Sequence, residues 1–252
     1  MTELQLLQSR HSVRSFSPDL VAPEIVKKLK AEITMTNTHE QGMKFQLFTD
    51  DPDPMKGFSK SYGAFINPRN YMAAVVDTAT PHALERAGYF AERFVVKAVE
   101  LGLGTCYVGG TYNKEAVKAQ LRAGEKILFI VLFGYPVDKT RFLAKMMTKM
   151  VHTKKMHPTQ FFEPQDMLNN ALELFPMLNT GLEAVACSPS SLNKRPTRLL
   201  MKEIGDKCLL CARVDDSNPK NLIDLGIAKY NFNFATATEC EWGNGAPLIM
   251  QE

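Results

Sequence analysis

The chain has 252 residues, of which 45% are hydrophobic, and a formal net charge of +3. This length and hydrophobic fraction suffice for one large domain or two small ones. The small net charge gives no reason to expect a nucleic acid or an anionic membrane surface as a partner. No segment is apolar for long enough to cross a membrane and no charged-then-apolar leader begins the sequence, so a cytoplasmic protein without a membrane partner is expected.

The cysteines do not predict a disulfide framework, because their number is odd and the chain is not small. They are Cys106, Cys187, Cys208, Cys211 and Cys240. The Cys208–Cys211 pair has the C-x-x-C form, but no second pair or histidine stands at the spacing of a zinc site. Its surroundings, KCLLCARV, are typical of a buried strand, with a redox or metal role as the minor alternative. We therefore expect no metal site.

The N-terminal segment combines a short helix with a basic stretch. Thr2 is a good cap for a helix over TELQLLQSR. In the following RHSVRSF, residues Arg10, Ser12 and Arg14 alternate with His11, Val13 and Ser15. If the stretch is extended, two guanidinium groups and a hydroxyl point the same way and form a face suited to phosphate. A solvated basic turn is the alternative.

Further elements of the first part follow from periodicity and turn residues. Helices are predicted from Pro23 to Ile33 and from His82 to Leu101, with polar connections at Thr36–Gly42 and Asp50–Tyr62. Strands are predicted at Lys44–Phe48, Tyr71–Val76, Thr105–Val108 and Ile127–Phe133, the last as a central strand buried on both faces. A basic, Met-rich helix is predicted at Lys139–Lys155.

Glycines surround the strand Thr105–Val108. Gly102 stands where a helix C-terminus favours a left-handed residue. Gly109 and Gly110 lack a Cβ, so another molecule could approach the backbone closely there. Asn113 is predicted to cap a helix over NKEAVKAQL. The same pattern also suits a buried corner that binds no ligand.

A boundary is predicted at Met156–Pro164, which has two prolines and no periodicity. The elements expected beyond it are helices over QDMLNNALELF and NTGLEAVAC, a loop at Ser188–Leu200 running into a strand, a strand over CLLCARV, and a helix at Asn221–Glu239 with one apolar face. The two parts also share a weak echo, because Leu84, Gly88 and Phe94 have the same spacing as Leu222, Gly226 and Phe232.

Several segments together resemble the FMN-dependent nitroreductases. RHSVRSF resembles the R-x-S-x-R phosphate motif of that family, and ELGLGTCYVGGTYNKEAV followed by ILFIVLFGYP resembles its helix–strand–loop–helix and the strand that ends in Gly-Tyr-Pro. ACSPSSLNKRPTRLL resembles A-P-S-x-x-N-x-Q-P-W-R-F, although Lys194-Arg195-Pro196-Thr197 replaces x-Q-P-W. NLIDLGIA resembles the D-x-G-I-A start of the family's long helix.

The order of these motifs differs from that of an ordinary member, in which P-S-x-x-N soon follows R-x-S-x-R. Ordinary members are homodimers with FMN at the interface. The resemblance therefore implies a fused version, in which two unequal halves, residues 1–160 and 161–252, imitate the dimer. The implied fold is α+β, a nitroreductase-like mixed sheet flanked by helices. A C2 dimer has two equivalent sites, whereas a degenerate fused pair should have one.

The resemblance also implies a set of FMN-binding residues and no catalytic acid or base. Arg10, His11, Ser12 and Arg14 belong to the phosphate motif, and Lys154 or Lys155 adds a cation. Backbone groups of Tyr107, Val108 and Gly109 would lie along the isoalloxazine edge, and the flanking Cys106 and Gly110 are also expected to bind the cofactor. Pro189, Ser190, Ser191 and Asn193 would close the other side of the pocket.

The implied activity is NAD(P)H-dependent two-electron reduction by alternating half-reactions, with a nitroaromatic, a quinone or a similar small molecule as the acceptor. The sequence contains no G-x-G-x-x-G, so no separate dinucleotide domain is expected. A flavin-binding protein of the same fold without nitroreductase turnover is the alternative, because fold does not determine function. A monomeric pseudo-dimer is compatible with the resemblance, which leaves further association open.

Overall fold

The computed structural model describes residues 1–57, 64–137, 156–204 and 206–251. Within these residues the chain forms six α-helices and seven strands, which confirms the predicted α+β class. The helices are α1 (Glu3–Ser9), α2 (Pro23–His39), α3 (Ala83–Glu100), α4 (Leu168–Leu174), α5 (Leu178–Ala186) and α6 (Lys220–Thr236). The strands are β1 (Met43–Phe48), β2 (Tyr71–Asp77), β3 (Gly104–Val108), β4 (Glu125–Gly134), β5 (Arg198–Ile204), β6 (Lys207–Arg213) and β7 (Pro247–Gln251).

The described residues divide into two compact units. One, the sheet-A unit, comprises residues 10–83 and 93–137, and the other, the sheet-B unit, comprises residues 1–9, 84–92 and the described residues from 156 onward. The Met-rich helix predicted at Lys139–Lys155, and with it Lys154 and Lys155, lies outside the described residues.

The sheet-A unit is built on a four-stranded antiparallel sheet in the order β1-β2-β4-β3. Strand β4 lies inside the sheet and is buried from Phe129 to Gly134, as its apolar run predicts. Alternate side chains of the strands form one hydrophobic core together with residues of the N-terminal basic stretch. That core includes Val13, Phe16, Tyr71, Ala73, Val75, Cys106, Val108, Ile130 and Leu132.

Helix α2 is longer than its sequence pattern predicts. Pro23 occupies the first turn, and Leu29 and Ile33 are buried as expected. The helix then continues to His39 through residues predicted as a polar connection. It does so because Thr36 is buried and Asn37 pairs with the backbone of Phe45, donating from Nδ2 to the carbonyl at 2.9 Å and accepting its N–H at 2.8 Å.

The glycine corner after α3 is confirmed, but the helix predicted after it is wrong. Gly102 has a φ of +81°, and Leu103 N donates to Ala98 O at 2.9 Å, which ends the helix as expected. After Asn113, which makes no side-chain cap, only a 3-10 turn forms at Lys114–Ala116. The chain beyond this turn lies beside β1 instead. The backbone of Gln120 forms two hydrogen bonds with the side chain of Gln46 on β1, at 2.8 and 2.9 Å.

The sheet-B unit contains a three-stranded antiparallel sheet in the order β5-β6-β7. Strand β7 was not predicted. The hydrophobic core beside this sheet is formed by α4, α5, α6, the segment around Phe161 and side chains from all three strands. It includes Phe161, Phe162, Phe175, Leu182, Leu199, Leu210, Leu225, Phe232 and Leu248. Helix α1 begins with the predicted Thr2 cap, whose Oγ1 accepts the N–H of Gln5 at 3.2 Å, and it buries Leu7.

Helix α6 does not have the single apolar face that was predicted. It is buried without interruption from Asp224 to Asn233, so the core surrounds it on every side. It also ends at Thr236 rather than Glu239, because Ala237 takes a left-handed conformation with a φ of +53°. The buried Lys229 pairs with Glu85 and donates to the carbonyls of Glu241 and Gly243 at 2.8 and 2.9 Å.

The echo between Gly88 and Gly226 corresponds to a reciprocal contact inside this unit. A Cβ at Gly88 would collide with the backbone carbonyl of Ile223, and a Cβ at Gly226 would collide with the backbone carbonyl of Glu85. The shift in residue number that relates Leu84 to Leu222 also relates Gly88 to Gly226 and Glu85 to Ile223. Each contact is therefore the counterpart of the other. The helices therefore approach closely only because both positions are glycine.

Candidate functional site

In the sheet-A unit, the basic stretch Arg10–Phe16 is extended and lies beside β3. Ser12 forms a parallel bridge with Thr105, and Val13 N donates to Thr105 O at 2.8 Å. On its other side Ile66 N donates to Arg14 O at 2.9 Å. These backbone bonds hold the stretch like a short additional strand. A solvated turn, the alternative considered from the sequence, does not form.

Side chains along this stretch alternate as predicted. Val13 and Ser15 are buried, and Arg10, Ser12 and Arg14 lie on the other side and stay at least partly accessible. His11 is exposed. Arg10, Ser12 and Arg14 form, with Cys106, a cluster that we call the cationic face.

The members of the cationic face interact electrostatically at Cys106. Burial raises the pKa of the Cys106 thiol, while the guanidinium groups of Arg14 and Arg10 and a hydrogen bond with Ser12 oppose that rise. All three side chains of the phosphate-like motif are therefore near one atom at the middle of β3. The structure thus brings together Cys106 and the three alternate residues that the sequence singled out.

Gly104, which sequence reasoning did not assign to the site, makes this arrangement possible. A Cβ at this position would lie 2.6 Å from Cγ2 of the buried Val13, too close for the basic stretch to pair with β3. The collision could not be foreseen from the sequence, because it depends on which strand lies beside residues 10–16.

The corner beyond β3 opens to free space. Gly109 and Gly110 are exposed, and a Cβ on either would meet no other atom within 4 Å. The Tyr107 ring lies 5.6 Å from that of Phe129, and Val108 is buried. No contact among the described residues requires a glycine at either position, and a further molecule has room to approach the backbone here.

In the sheet-B unit, Pro189–Asn193 belongs to a tight loop that leads into β5. Asn193 N donates to Ser190 O at 3.0 Å, and Arg195 N donates to Ser190 Oγ at 2.8 Å. The Arg195 side chain donates in turn from Nε to Asn193 Oδ1 at 3.2 Å. The loop is therefore closed on itself, and the prediction of a turn-rich segment running into a strand is confirmed.

Helix α6 fixes this loop through a buried carboxylate. Ser191 N donates to the two carboxylate oxygens of Asp224 at 3.2 and 3.1 Å. Burial raises the pKa of Asp224 to about 6, and the hydrogen bond from Ser191 opposes that shift. Asp224 was noticed in the sequence only as part of NLIDLGIA and was not assigned to the site.

The described residues also bear on the expectations for the cysteines, for metal ions and for membrane spans. Cys208 and Cys211 are free thiols on β6, in the strand predicted for them. Among the described residues no cluster of histidine, cysteine, aspartate and glutamate has a geometry that could hold a metal ion. No helix in the same residues is long and apolar enough to cross a membrane.

Comparison with known proteins decides the family. The family model described as "Putative TM nitroreductase" matches residues 3–236. The chain belongs to this family. It is accordingly an oxidoreductase of the nitroreductase class, and the fold inferred from the resemblance is confirmed.

Similar proteins include both a curated enzyme and solved structures. A "CR(VI) reductase" from Pseudomonas sp. (strain G-1) is 24% identical over 220 residues, which cover 75% of this chain and 86% of the relative. The structure of a "putative nitroreductase" from Thermotoga maritima MSB8 has a TM-score of 0.57 and 20% identity, and the match covers 93% of this chain and 83% of that one. A nitroreductase with bound FMN from Desulfitobacterium hafniense DCB-2 has a TM-score of 0.44 and 16% identity, over 56% of this chain and 92% of that one.

Proposed function

We propose that this protein binds one FMN and uses it to transfer two electrons from NADH or NADPH to a small acceptor. The transfer proceeds in two half-reactions, so that the oxidised nicotinamide leaves before the acceptor binds. The cationic face is the observation that carries the proposal. Two guanidinium groups and a hydroxyl on one side of an extended segment match a phosphate monoester, because arginine donates in a planar fork.

The donor set and the space beside it fit FMN. Arg10, Ser12 and Arg14 bind the phosphate and the ribityl chain, and His11 belongs to the same motif. The open corner at Tyr107–Gly110 accommodates the isoalloxazine edge, because Gly109 and Gly110 present no side chain to it. FMN supplies the redox chemistry when bound, and the protein supplies binding, orientation and the electrostatic environment.

The loop Pro189–Asn193 is assigned to the same flavin on the strength of the family motif. Lys154 and Lys155 are candidates for a further cation at the phosphate. The reciprocal glycine contact between α3 and α6 supports the proposal that residues 1–160 and 161–252 descend from the two subunits of a homodimer, since a C2 interface repeats each contact in exchanged form.

The acceptor is proposed by class. Nitroaromatics and quinones are the acceptors that the family resemblance implies. The relative named as a Cr(VI) reductase adds chromate, an inorganic oxyanion, to the acceptors worth testing. The nicotinamide donor has no dedicated dinucleotide motif in the sequence, which suits a molecule that visits the flavin site only briefly.

Flavin analysis tests the cofactor, and turnover tests the activity. The purified protein is reconstituted with FMN, freed of excess and denatured, and the released flavin is measured against the protein concentration. One FMN per chain is expected, while two per chain or none contradicts the proposal.

Oxidation of NADH and NADPH is then followed with a nitroaromatic, a quinone or chromate as acceptor. The rates should give parallel lines in double-reciprocal plots, as alternating half-reactions require. One bound flavin without turnover would instead identify a flavin-binding protein that lacks nitroreductase activity.

A further inference from the structure

Two buried polar side chains of α6 point at one loop. Asp224 and Asn231 are seven residues apart and so lie on the same side of the helix, two turns from each other. Asp224 is 6% exposed and Asn231 is fully buried. A buried helix rarely carries polar side chains at such positions, because a buried polar group must be hydrogen-bonded to offset its loss of hydration.

Each side chain has a hydrogen-bond partner in the segment Ser188–Ser191, although Asn231 Oδ1 accepts no hydrogen bond from the described residues. Asn231 Nδ2 donates to Ser188 Oγ at 3.0 Å, and Asp224 receives Ser191 N at 3.2 and 3.1 Å on its two oxygens. Ser188 Oγ in turn lies 3.5 Å from Ala184 O. One face of one helix thus fixes the start of the loop at two points.

The loop adopts a strained backbone. Leu192, Asn193 and Arg195 have φ values of +52°, +55° and +50°. Asparagine tolerates this region, but leucine and arginine are disfavoured there by roughly 1–2 kcal/mol each. Hydrogen bonds within the loop and the bond from Ser191 to Asp224 together hold this conformation, and strained residues held by their surroundings are typical of functional loops.

The restraint at Asp224 is itself costly. Dehydration of a buried carboxylate is unfavourable, and hydrogen bonds from a single backbone N–H offset only a small part of it. The charged groups near it in sequence are otherwise engaged or exposed. On α6, Lys220 is exposed and Lys229 is paired with Glu85, while on the loop Lys194 is exposed and Arg195 binds Asn193. If this helix position served packing alone, an apolar residue there would give a more stable folded protein than a buried carboxylate.

We propose that Asp224 is a positioning residue for the flavin, which acts by holding the N–H of Ser191 and so fixing the strained loop Ser190–Arg195 in the conformation that binds FMN. The inference rests on the proposed function, because it takes the loop as part of the flavin site. It adds a residue that touches neither cofactor nor substrate. Asn231 supports the same loop from the Ser188 end.

The test compares Asp224→Ala with Asp224→Asn. Alanine removes the acceptor, whereas asparagine keeps an oxygen that can receive the same N–H. Amide hydrogen exchange of Ser191 and Asn193 is measured by NMR in the flavin-free proteins, and FMN affinity is measured by titration. Asp224→Ala should accelerate both exchange rates and weaken FMN about tenfold, as expected for losing a hydrogen bond to a charged group. Asp224→Asn should restore protection and bind FMN within about threefold of the parent.

Asp215→Ala is the matched control. Asp215 is an exposed carboxylate that receives Ser217 N at 3.0 Å, so it makes the same kind of bond in a surface turn. It should change neither FMN affinity nor the exchange of Ser191. If Asp224→Ala is too unstable to assay, Asp224→Leu, which removes the acceptor but fills the buried space, takes its place with the same expected changes in amide exchange and FMN affinity.

Each failure has its own signature. Unchanged exchange at Ser191 in Asp224→Ala would overturn the positioning role. Faster exchange with unchanged FMN affinity would overturn the link between this loop and the flavin, and Arg14→Ala would still weaken FMN in that case. If the parent protein bound no FMN, the proposed function would be rejected and this inference with it.

Discussion

The two segments that resemble flavin motifs are held in opposite ways. Arg10–Phe16 is fixed by backbone hydrogen bonds to β3 and to Ile66, and its side chains project from a regular strand. Ser188–Arg195 is fixed by side chains of α6, and its own backbone is left-handed at three non-glycine residues. The first support depends on room for the backbone, and the second depends on buried polar groups.

This difference makes the two regions sensitive to different substitutions. Backbone pairing survives a change of side chain but fails when a new Cβ separates the strands. A loop held by a carboxylate and an amide survives distant packing changes but fails when its acceptor is removed or when the helix carrying it moves. The following variants address the two kinds of support separately.

Gly226→Ala should have the largest effect on stability. A Cβ there collides with backbone atoms of Glu85 and Tyr89, which cannot rotate away, so α6 itself must shift. The free energy of unfolding should fall by more than about 3 kcal/mol, above the usual range for overpacking. Urea denaturation measures this, and a loss below about 1 kcal/mol would show that the helices separate easily at this crossing.

Asp224→Asn should stabilise the protein at neutral pH. The folded pKa of about 6 exceeds the ordinary aspartate value of 3.8, so protonation favours folding. This contribution is fully present below pH 3.8 and is lost as the pH rises through about 6. Removing the ionisable group should therefore raise the free energy of unfolding at pH 7.5 by up to about 3 kcal/mol.

The pH dependence distinguishes this cause from ordinary repacking. Urea denaturation of the parent and of Asp224→Asn at several pH values between 4 and 8 should show a difference that shrinks toward zero at the acidic end. A difference of equal size at every pH would mean that ionisation of Asp224 does not contribute.

Gly104→Ala should weaken the support of the first region. Its Cβ would lie 2.6 Å from Cγ2 of Val13, so the basic stretch must move away from β3. We expect a loss of about 1–3 kcal/mol in the free energy of unfolding, together with weaker FMN binding. Urea denaturation and FMN titration measure the two effects, and unchanged values for both would contradict the account of this strand pairing.

Gly109→Ala is the matched variant and should have the smallest effect on folding. Its Cβ meets no atom within 4 Å, and the free energy of unfolding should change by no more than about 0.5 kcal/mol. FMN affinity should nevertheless fall, because the methyl group occupies space assigned to the flavin. Equal FMN affinity in Gly109→Ala and the parent would remove this corner from the site.

The sequence predicted the first region well and the second only in outline. Alternation along RHSVRSF was enough to predict which side chains share a face, because an extended chain has a period of two. The turn residues of SPSSLN predicted a loop, but no local pattern indicates that Leu192 and Arg195 are left-handed. Asp224 and Asn231 stand in a helix predicted to be amphipathic, and only its complete burial makes two polar residues seven apart informative.

The fold was predicted in the same uneven way. Long apolar runs such as β4 and the C-terminal glycine of α3 were predicted correctly, since burial and positive φ leave strong signals. The errors at Thr36–His39 and after Asn113 have one cause. In both places a polar side chain ties the segment to β1. Asn37 bonds the backbone of Phe45, whereas Gln46, on β1 itself, bonds the backbone of Gln120. Such tertiary pairing overrides local propensity.

The binding of FMN phosphate by the cationic face is tested most directly by comparing FMN with riboflavin in Arg14→Ala. FMN and riboflavin differ only in the phosphate, so their affinity ratio isolates that group. Arg14→Ala should weaken FMN about ten- to a hundredfold, the effect of losing a charge-assisted hydrogen bond, and leave riboflavin nearly unchanged. Arg122→Ala, which removes the same charge elsewhere in the sheet-A unit, should preserve the ratio. Equal weakening of FMN and riboflavin in Arg14→Ala, or no weakening of either, would contradict the account.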